Sequence, residues 1–452
     1  MPAGAGRFYQ HGWHSWSVTG WRVRRAPVRY PVVPEHRLQA TDPKHLDDPL
    51  PGGSGLGAIE VAGDDITLLG SLGVDSWVTA TPEQMVGSGS SDWYRASGSE
   101  QRVFADYGEA LGQALGTRRG NPGPVWCSWY GLYAEIGEVR LQEVLVDLDD
   151  LPFAVFQIDD GWQRTNGDWE ANERFGSGMA AMAERVIETG RTPGLWLAPF
   201  LVDGSSEVIG RYPDMLLRDA GGQPIPAAHN WTETNFALDV TREDTLEWLA
   251  ALIRKTIGWG YRYLKLDFLY AAALPRTNDE VGREAAYRRA IQVMREAAGD
   301  DVYLLACGAP VLPSIGVFDG IRVGPDVARY WDNKDRTVHL ADRAGPGVAD
   351  AISTSLNRLW LRRLIDIDPD VAFFRSRYCL LTPGQQGRLI DLAHICGVRA
   401  TSDPPDWLDP HERSALESFL TNRPEVQQIG RYRFLLDGRE VDFTDVVEQR
   451  PW

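Results

Sequence analysis

A chain of 452 residues, 43% of them hydrophobic, is long enough to bury a large core and too long for one small domain; a barrel of about 250 residues with smaller flanking parts fits it. The formal net charge of −17 sets up a field that repels phosphate polymers, so no nucleic acid is expected as a partner. Four cysteines without a CxxC pair read as neither a disulfide framework nor a zinc site, and the acids lack metal-ligand spacing with histidines, so neither a metal nor a cofactor is expected. The first residues have no basic patch followed by an apolar run, and no apolar stretch approaches ~20 residues, so no membrane partner is expected and a reduced cytoplasm is the default location.

Residues 1–120 are rich in Gly, Pro and Ser, with short strand-like runs at 57–61 and 66–69 and turn signals such as Gly63-Asp64-Asp65. They predict a small N-terminal β-rich module bounded by Gly120-Asn121-Pro122-Gly123-Pro124. Strand-like and helical runs then alternate. Strands are expected at 125–130, 153–159, 193–200, 261–268, 301–307 and 319–325, with weaker candidates near 359–367 and 398–401. Among the helices, 242–257 is the clearest: Thr241 caps it with Asp244 three residues on, Leu246, Leu249, Ile253 and Ile257 form one stripe, and Gly258 closes it. Thr277 and Glu280 repeat the capping pattern before a second helix. Such alternation predicts an α/β fold with a (β/α)8 TIM barrel over residues 121–405. A doubly wound sheet is the alternative, but no Gly-rich phosphate loop follows the first strand. Residues 406–452 read as a short C-terminal β-rich segment, with Asp437-Gly438 between alternating runs as a hairpin signal.

Strand side chains alternate between faces. In the run 261–268, Leu264, Leu266 and Phe268 form the outward set, which leaves Tyr263, Lys265 and Asp267 pointing into the barrel. The same parity sends Arg322, Gly324 and Asp326 inward, as well as Gln157 and Asp159, with Asp160 following at the mouth; Trp196 also faces in. Four strands thus deliver Asp159, Trp196, Lys265, Asp267, Arg322 and Asp326 to the C-terminal rim, where barrel enzymes place their chemistry. A single Asp there reads more readily as a cap at a strand-to-helix turn; agreement across four strands favours a site. Lys265, two residues from Asp267 on the same face, favours a charged carboxylate. Carboxylate neighbours would raise Asp326 towards a general acid, and Arg322 pulls the other way. Two opposed carboxyls about 5–5.5 Å apart retain configuration and a gap of about 6.5–9.5 Å inverts it; the sequence fixes neither. The 17 tryptophans read as core, or as faces for sugar rings where they stand beside acids and glycines, as in Gly12-Trp13-His14-Ser15-Trp16 and Asp160-Gly161-Trp162.

These motifs together resemble the melibiase-type α-galactosidases of glycoside hydrolase family 36. Trp126-Cys127-Ser128-Trp129-Tyr130, Gln157-Ile158-Asp159-Asp160-Gly161-Trp162 and Gly194-Leu195-Trp196-Leu197-Ala198-Pro199-Phe200 resemble the first barrel motifs. Tyr263-Leu264-Lys265-Leu266-Asp267-Phe268 resembles the nucleophile strand. Cys307-Gly308-Ala309-Pro310, Arg322-Val323-Gly324-Pro325-Asp326 and Asp366-Ile367-Asp368-Pro369-Asp370 resemble the later ones, and Gly12–Trp16 resembles the Trp-bearing segment that the N-terminal domain sends to the pocket. The resemblance runs from about residue 120 to 405, and it implies the following roles. Asp267 is the nucleophile and Asp326 the acid/base of a retaining hydrolase acting on a small-molecule α-galactoside. Asp159 and Asp160 hold the O4 and O6 side of galactose, Lys265 and Arg322 bind ring hydroxyls, and Trp196 lines the pocket. Cys307 sits near C2, and Trp13 and Trp129 form walls. Trp126 is expected in the core, and Cys307 reads equally as a small buried residue. The first 120 residues are shorter than the β-sandwich that many members carry. Galactosyl transfer, as in raffinose-type synthases, a Schiff-base aldolase using Lys265, and a sugar-binding protein without catalysis are the alternatives. The residues carry no signal for an oligomeric state.

Overall fold

Eight parallel staves form one barrel in the computed structural model, which describes residues 6–23, 37–62, 65–81, 84–89, 91–276, 280–333 and 342–448. Residues 1–5, the first two residues of the Gly63-Asp64-Asp65 turn, and Thr277 lie outside these. The first six strands are Val125–Cys127, Val155–Ile158, Thr192–Leu197, Tyr263–Leu266, Tyr303–Ala306 and Gly320–Arg322; the eighth is Ala400–Thr401. The seventh comes in two pieces, Asp366–Asp368 and Val371–Ala372, separated by Pro369 and by Asp370 in the left-handed region at φ +82°. Its first piece pairs with the sixth strand and its second with the eighth, which returns to the first, so the split strand closes the ring.

Packing follows the alternation of side chains. The outward layer is apolar: Trp126 stacks on Phe156 with centroids 4.7 Å apart, and Ile158, Leu264, Leu266 and Ile321 are fully buried. In the inward layer Gln157, Gly194, Tyr263 and Tyr303 stand level across four strands. Gly194 is needed at that level, because a Cβ there would stand 3.1 Å from both the Tyr263 ring and the Gln157 backbone. The layer fills the barrel below the rim.

Several elements depart from the sequence reading. Of the strand expected near 359–367, Leu359–Arg363 is a 3-10 turn and pairing starts only at Asp366. The apolar run Leu359-Trp360-Leu361 mimics a strand, but Arg358 before it is buried and donates to the carbonyls of Gly12, His14, Ser15, Ser17 and Val323, anchoring the N-terminal segment instead. The helix expected from residue 242 is Glu243–Gly258, with Leu246, Leu249 and Ile253 buried, but Thr241 does not cap it: its hydroxyl goes to Asp239 at 2.6 Å and the N-cap is Arg242. The next helix, Arg283–Ala298, has Gly282 as its N-cap.

Before the barrel lie an antiparallel five-stranded sheet (Arg7–Gln10, Gly20–Val23, Leu56–Ala62, Asp65–Ser71, Trp93–Ser99) and a three-stranded one (Gly52–Ser54, Trp77–Ala80, Met85–Ser88). A 16-residue helix, Glu100–Leu115, follows them. Its buried Val103, Phe104, Tyr107 and Leu111 carry helical spacing that a purely β-rich reading passed over. The helix after the eighth strand, Pro410–Thr421, lies beyond residue 405, and the strands Val426–Gln428, Arg433–Leu436 and Arg439–Asp442 come after it. Asp437-Gly438, both at positive φ, make the two-residue turn between the last two strands. Among the described residues, no helix is long and apolar enough to cross a membrane.

Candidate active site

Charge collects at the C-terminal ends of the barrel strands. Asp159 and Asp160 follow the second strand, Trp196 lies on the third, Lys265 and Asp267 on and after the fourth, Cys307 after the fifth, and Arg322 and Asp326 on and after the sixth. The structure brings these eight together, and Lys265 stands between them. Its ammonium is 3.0 Å from Asp159 Oδ2 and 3.8 Å from Asp267 Oδ2, with the side chain 7% exposed. Burial pulls the ammonium down, but Asp159 and Asp267 outweigh it and hold Lys265 well above the ordinary lysine range. Asp159 Oδ2 also accepts from Gln157 Nε2 (2.6 Å) and Cys127 Sγ (3.4 Å), and its own N–H donates to Ser128 Oγ (2.9 Å). Replacing Lys265 by Met would leave Asp159 buried without its counter-ion. The expected loss is about 3–5 kcal/mol of stability, read by urea unfolding, and a loss below about 1 kcal/mol would contradict that pairing.

Asp267 is gripped from two sides. Trp196 Nε1 donates to its Oδ2 at 3.0 Å and the Phe268 N–H to its Oδ1 at 2.8 Å. Phe268 itself sits in the left-handed region, φ +52°, which is strained for a bulky residue. Two rings hold it there: Trp16 and Trp231 each approach Phe268 with centroids 5.1 Å apart. Trp231, on the insertion between the third and fourth strands, also donates to Asp160 Oδ2 at 3.0 Å, while Gln163 Nε2 meets Asp160 Oδ1 at 2.6 Å. Burial pushes the Asp160 carboxyl up; Gln163 and Trp231 oppose this, and Asp159 and Asp267 add to it.

Asp326 is differently placed. About a third of its side chain (34%) is exposed to the cleft, and its Oδ1 accepts from Arg322 Nη1 at 3.1 Å. Burial raises the Asp326 carboxyl, Arg322 and Lys265 pull it down, and Asp267 and Asp159 push it up again; the balance lies above the ordinary carboxylate range. Arg322 also reaches Asp368 (3.2 Å) and Asp370 (2.8 Å) on the split seventh strand. Burial first, then Asp267, drives the Cys307 thiol well above its usual range, so it is a neutral wall group here.

The two remaining tryptophans behave unequally. Trp129, just past the first strand, is half-buried at the mouth, edge-on to Tyr133 at 5.4 Å. Trp13 does not join the site. Its indole N–H goes to Glu284 Oε1 (3.1 Å), and the Arg283 guanidinium lies 4.9 Å over its ring. Trp16 is the member of that segment that reaches Phe268, and its own indole N–H is buried with no hydrogen-bond partner among the described residues. The segment is a loop, docked by Ser15 N to Ala309 O (3.0 Å), so strand parity could not say which indole turns inward. Sequence reasoning also passed over Trp231, a Trp in a polar insertion without periodicity, and Tyr130, Asp368 and Asp370, although these last three stood in the family motifs. Among the described residues, no group of three or more His, Cys, Asp or Glu side chains is arranged to hold a metal ion.

Residues 118–297 match the family model described as Melibiase. α-Galactosidase AgaA of Geobacillus stearothermophilus is 27% identical over 183 residues, 37% of this chain and 24% of that protein. α-Galactosidase 1 of Pediococcus pentosaceus is 25% identical over 163 residues, 33% of this chain and 22% of that protein. The matched stretches thus span less than a quarter of these curated relatives' length. A solved structure of TtGalA, the α-galactosidase from Thermus thermophilus in complex with p-nitrophenyl α-D-galactopyranoside, shares 46% identity and a TM-score of 0.93, over 99% of this chain and 92% of that one. The crystal structure of AgaA, a GH36 α-galactosidase, shares the fold alone at 14% identity and a TM-score of 0.60, over 92% of this chain and 60% of that one.

Proposed function

The chain belongs to the melibiase-type α-galactosidases of glycoside hydrolase family 36, and on that footing we propose that it hydrolyses terminal α-D-galactosyl residues of small α-galactosides with retention of configuration. The observation that carries this reading is the unequal treatment of two carboxyls on one barrel rim, after the fourth and sixth strands. Asp267 is fixed by two N–H donors beside an ammonium, and Asp326 is open to the cleft with its proton held more tightly than usual. In this reading Asp267 attacks the anomeric carbon while Asp326 protonates the leaving oxygen; water activated by Asp326 then releases galactose. Asp159 and Asp160 take the O4 and O6 side, Lys265 and Arg322 take ring hydroxyls, and Cys307 borders C2. Trp196 and Trp231 wall the sugar, Trp129 lies at the rim, and Trp16 takes the part expected of Trp13. The complexes of TtGalA with p-nitrophenyl α-D-galactopyranoside and with stachyose support the substrate class. An aldolase reading is disfavoured, because a Schiff base needs a neutral amine and Lys265 is held as the ammonium between two carboxylates. The four cysteines are unpaired, which supports a reduced compartment, the cytoplasm in this reading.

The test is a panel of nitrophenyl glycosides followed by NMR of the first-formed sugar. Preference for the α-galactoside and release of α-galactose first are expected; β-galactose first would overturn retention. Because Asp326 is raised, kcat/KM is expected to stay high above the usual carboxylate range and to fall as pH rises past the Asp326 pKa, since the acid form is then lost.

A further inference from the structure

We infer that Asp370 is a positioning residue for Asp326, holding the backbone behind it and sharing with it one arginine nitrogen. The inference rests on the acid/base role of Asp326 proposed above. Asp370 lies at the break in the seventh strand, between the piece that pairs with the sixth strand and the piece that pairs with the eighth. A non-glycine residue at φ +82° is a strained choice, and such strain persists where the surroundings fix it. The surroundings here are dense. Asp370 Oδ1 accepts from the Val371 N–H at 2.9 Å. Oδ2 accepts from the Tyr130 hydroxyl, from the Val327 N–H at 2.9 Å, and from Arg322 Nη1 at 2.8 Å. Val327 directly follows Asp326, and Arg322 Nη1 is the same nitrogen that meets Asp326 Oδ1 at 3.1 Å. One carboxylate oxygen therefore fixes the chain on one side of Asp326 and the cation on the other, and it does not itself face the sugar cleft: its side chain is fully buried.

The consequence is electrostatic. Arg322 is divided among Asp326, Asp368 and Asp370, so each carboxylate dilutes the pull of the guanidinium on the others. The charged and titratable groups facing Asp370 are Arg322, Asp326, Asp368, Tyr130 and, further off, Cys127. Those facing Asp326 are Arg322, Lys265, Asp267, Asp159, Asp370, Tyr130 and Cys307. Burial pushes Asp370 up to about 7, against Arg322, and the neighbouring Asp326 adds to the push, so the protons of the two carboxyls are linked. Removing the Asp370 charge leaves Arg322 freer to pull on Asp326 and removes one anion that raised it; both effects lower the Asp326 pKa.

Asp370→Asn keeps the size and an acceptor for Val327 and deletes the charge. The expected result is a basic limb of kcat/KM moved to lower pH by about one unit, with substrates of poor leaving group losing tenfold more than dinitrophenyl α-galactoside. Tyr130→Phe, which removes one donor to Asp370, is expected to move the limb in the same direction by less, and serves if the first variant does not fold. An unmoved profile in a folded variant, or equal losses on both substrates, overturns the inference. A wild-type enzyme that lacks α-galactosidase activity would instead sink the parent reading, so the two failures are told apart by the wild-type profile.

Discussion

Asp267→Asn is expected to lower kcat/KM for aryl α-galactosides by on the order of 10^4-fold or more, because the amide offers no anion to form the bond to the anomeric carbon. The substitution is nearly isosteric, so the Trp196 indole and the Phe268 backbone keep a group of the same shape between them. One of the two N–H donors then faces an NH2 rather than an oxygen, and Lys265 keeps its 3.0 Å contact with Asp159. The fold is therefore expected to survive, with urea unfolding as the control, and the loss sits in the chemical step. Near-wild-type rates in this variant would remove Asp267 from the nucleophile's place, whatever its position in the barrel.

The second large effect is selective. Asp326→Ala is expected to slow substrates with poor leaving groups, such as alkyl α-galactosides, by about 10^2- to 10^4-fold, the usual contribution of a positioned proton donor. Dinitrophenyl α-galactoside, which departs without a proton, is expected to lose less than about tenfold in the first step. Breakdown of the intermediate also lacks its base, so a burst of phenolate should precede a slow steady state. Azide, which needs no base, should restore turnover and give the α-galactosyl azide. Arg322 keeps Asp368 and Asp370 as partners, so no buried cation is stranded by the change. Equal losses on both leaving groups would contradict an acid/base role.

The barrel and the heart of the site were legible because a strand has a period of two. Once Leu264 and Leu266 are assigned outward, Lys265 and Asp267 can only point inward, and the same holds for Arg322 beside Ile321. That logic stops where the strand stops. Gly324, expected inward two residues after Arg322, instead lies against the helix Val348–Asn357: a Cβ there would stand 3.0 Å from the Ala351 carbonyl. In the Gly12–Trp16 loop neither period applies, so the choice of Trp13 over Trp16 had no physical basis in the sequence; the docking of Ser15 on Ala309 decides it. Trp231 was illegible for the same reason, since its position depends on how a 201–237 insertion folds back over Phe268. Asp370 was visible as a letter in a motif, but its part depends on a break in the seventh strand that Pro369 hints at without saying which neighbour each piece joins. The split also explains the misplaced strand near 359–367: the pairing there is too short, and too interrupted, to leave an alternating signature.

The proposed mechanism forms a covalent bond between Asp267 and the galactosyl carbon, and trapping tests that bond most directly. Wild-type protein incubated with 5-fluoro-α-D-galactosyl fluoride, digested and mapped by mass spectrometry is predicted to carry the fluorosugar on the peptide containing Asp267, at that side chain. A label at any other residue, or an unlabelled protein that turns the reagent over with β-galactose chemistry, would contradict it.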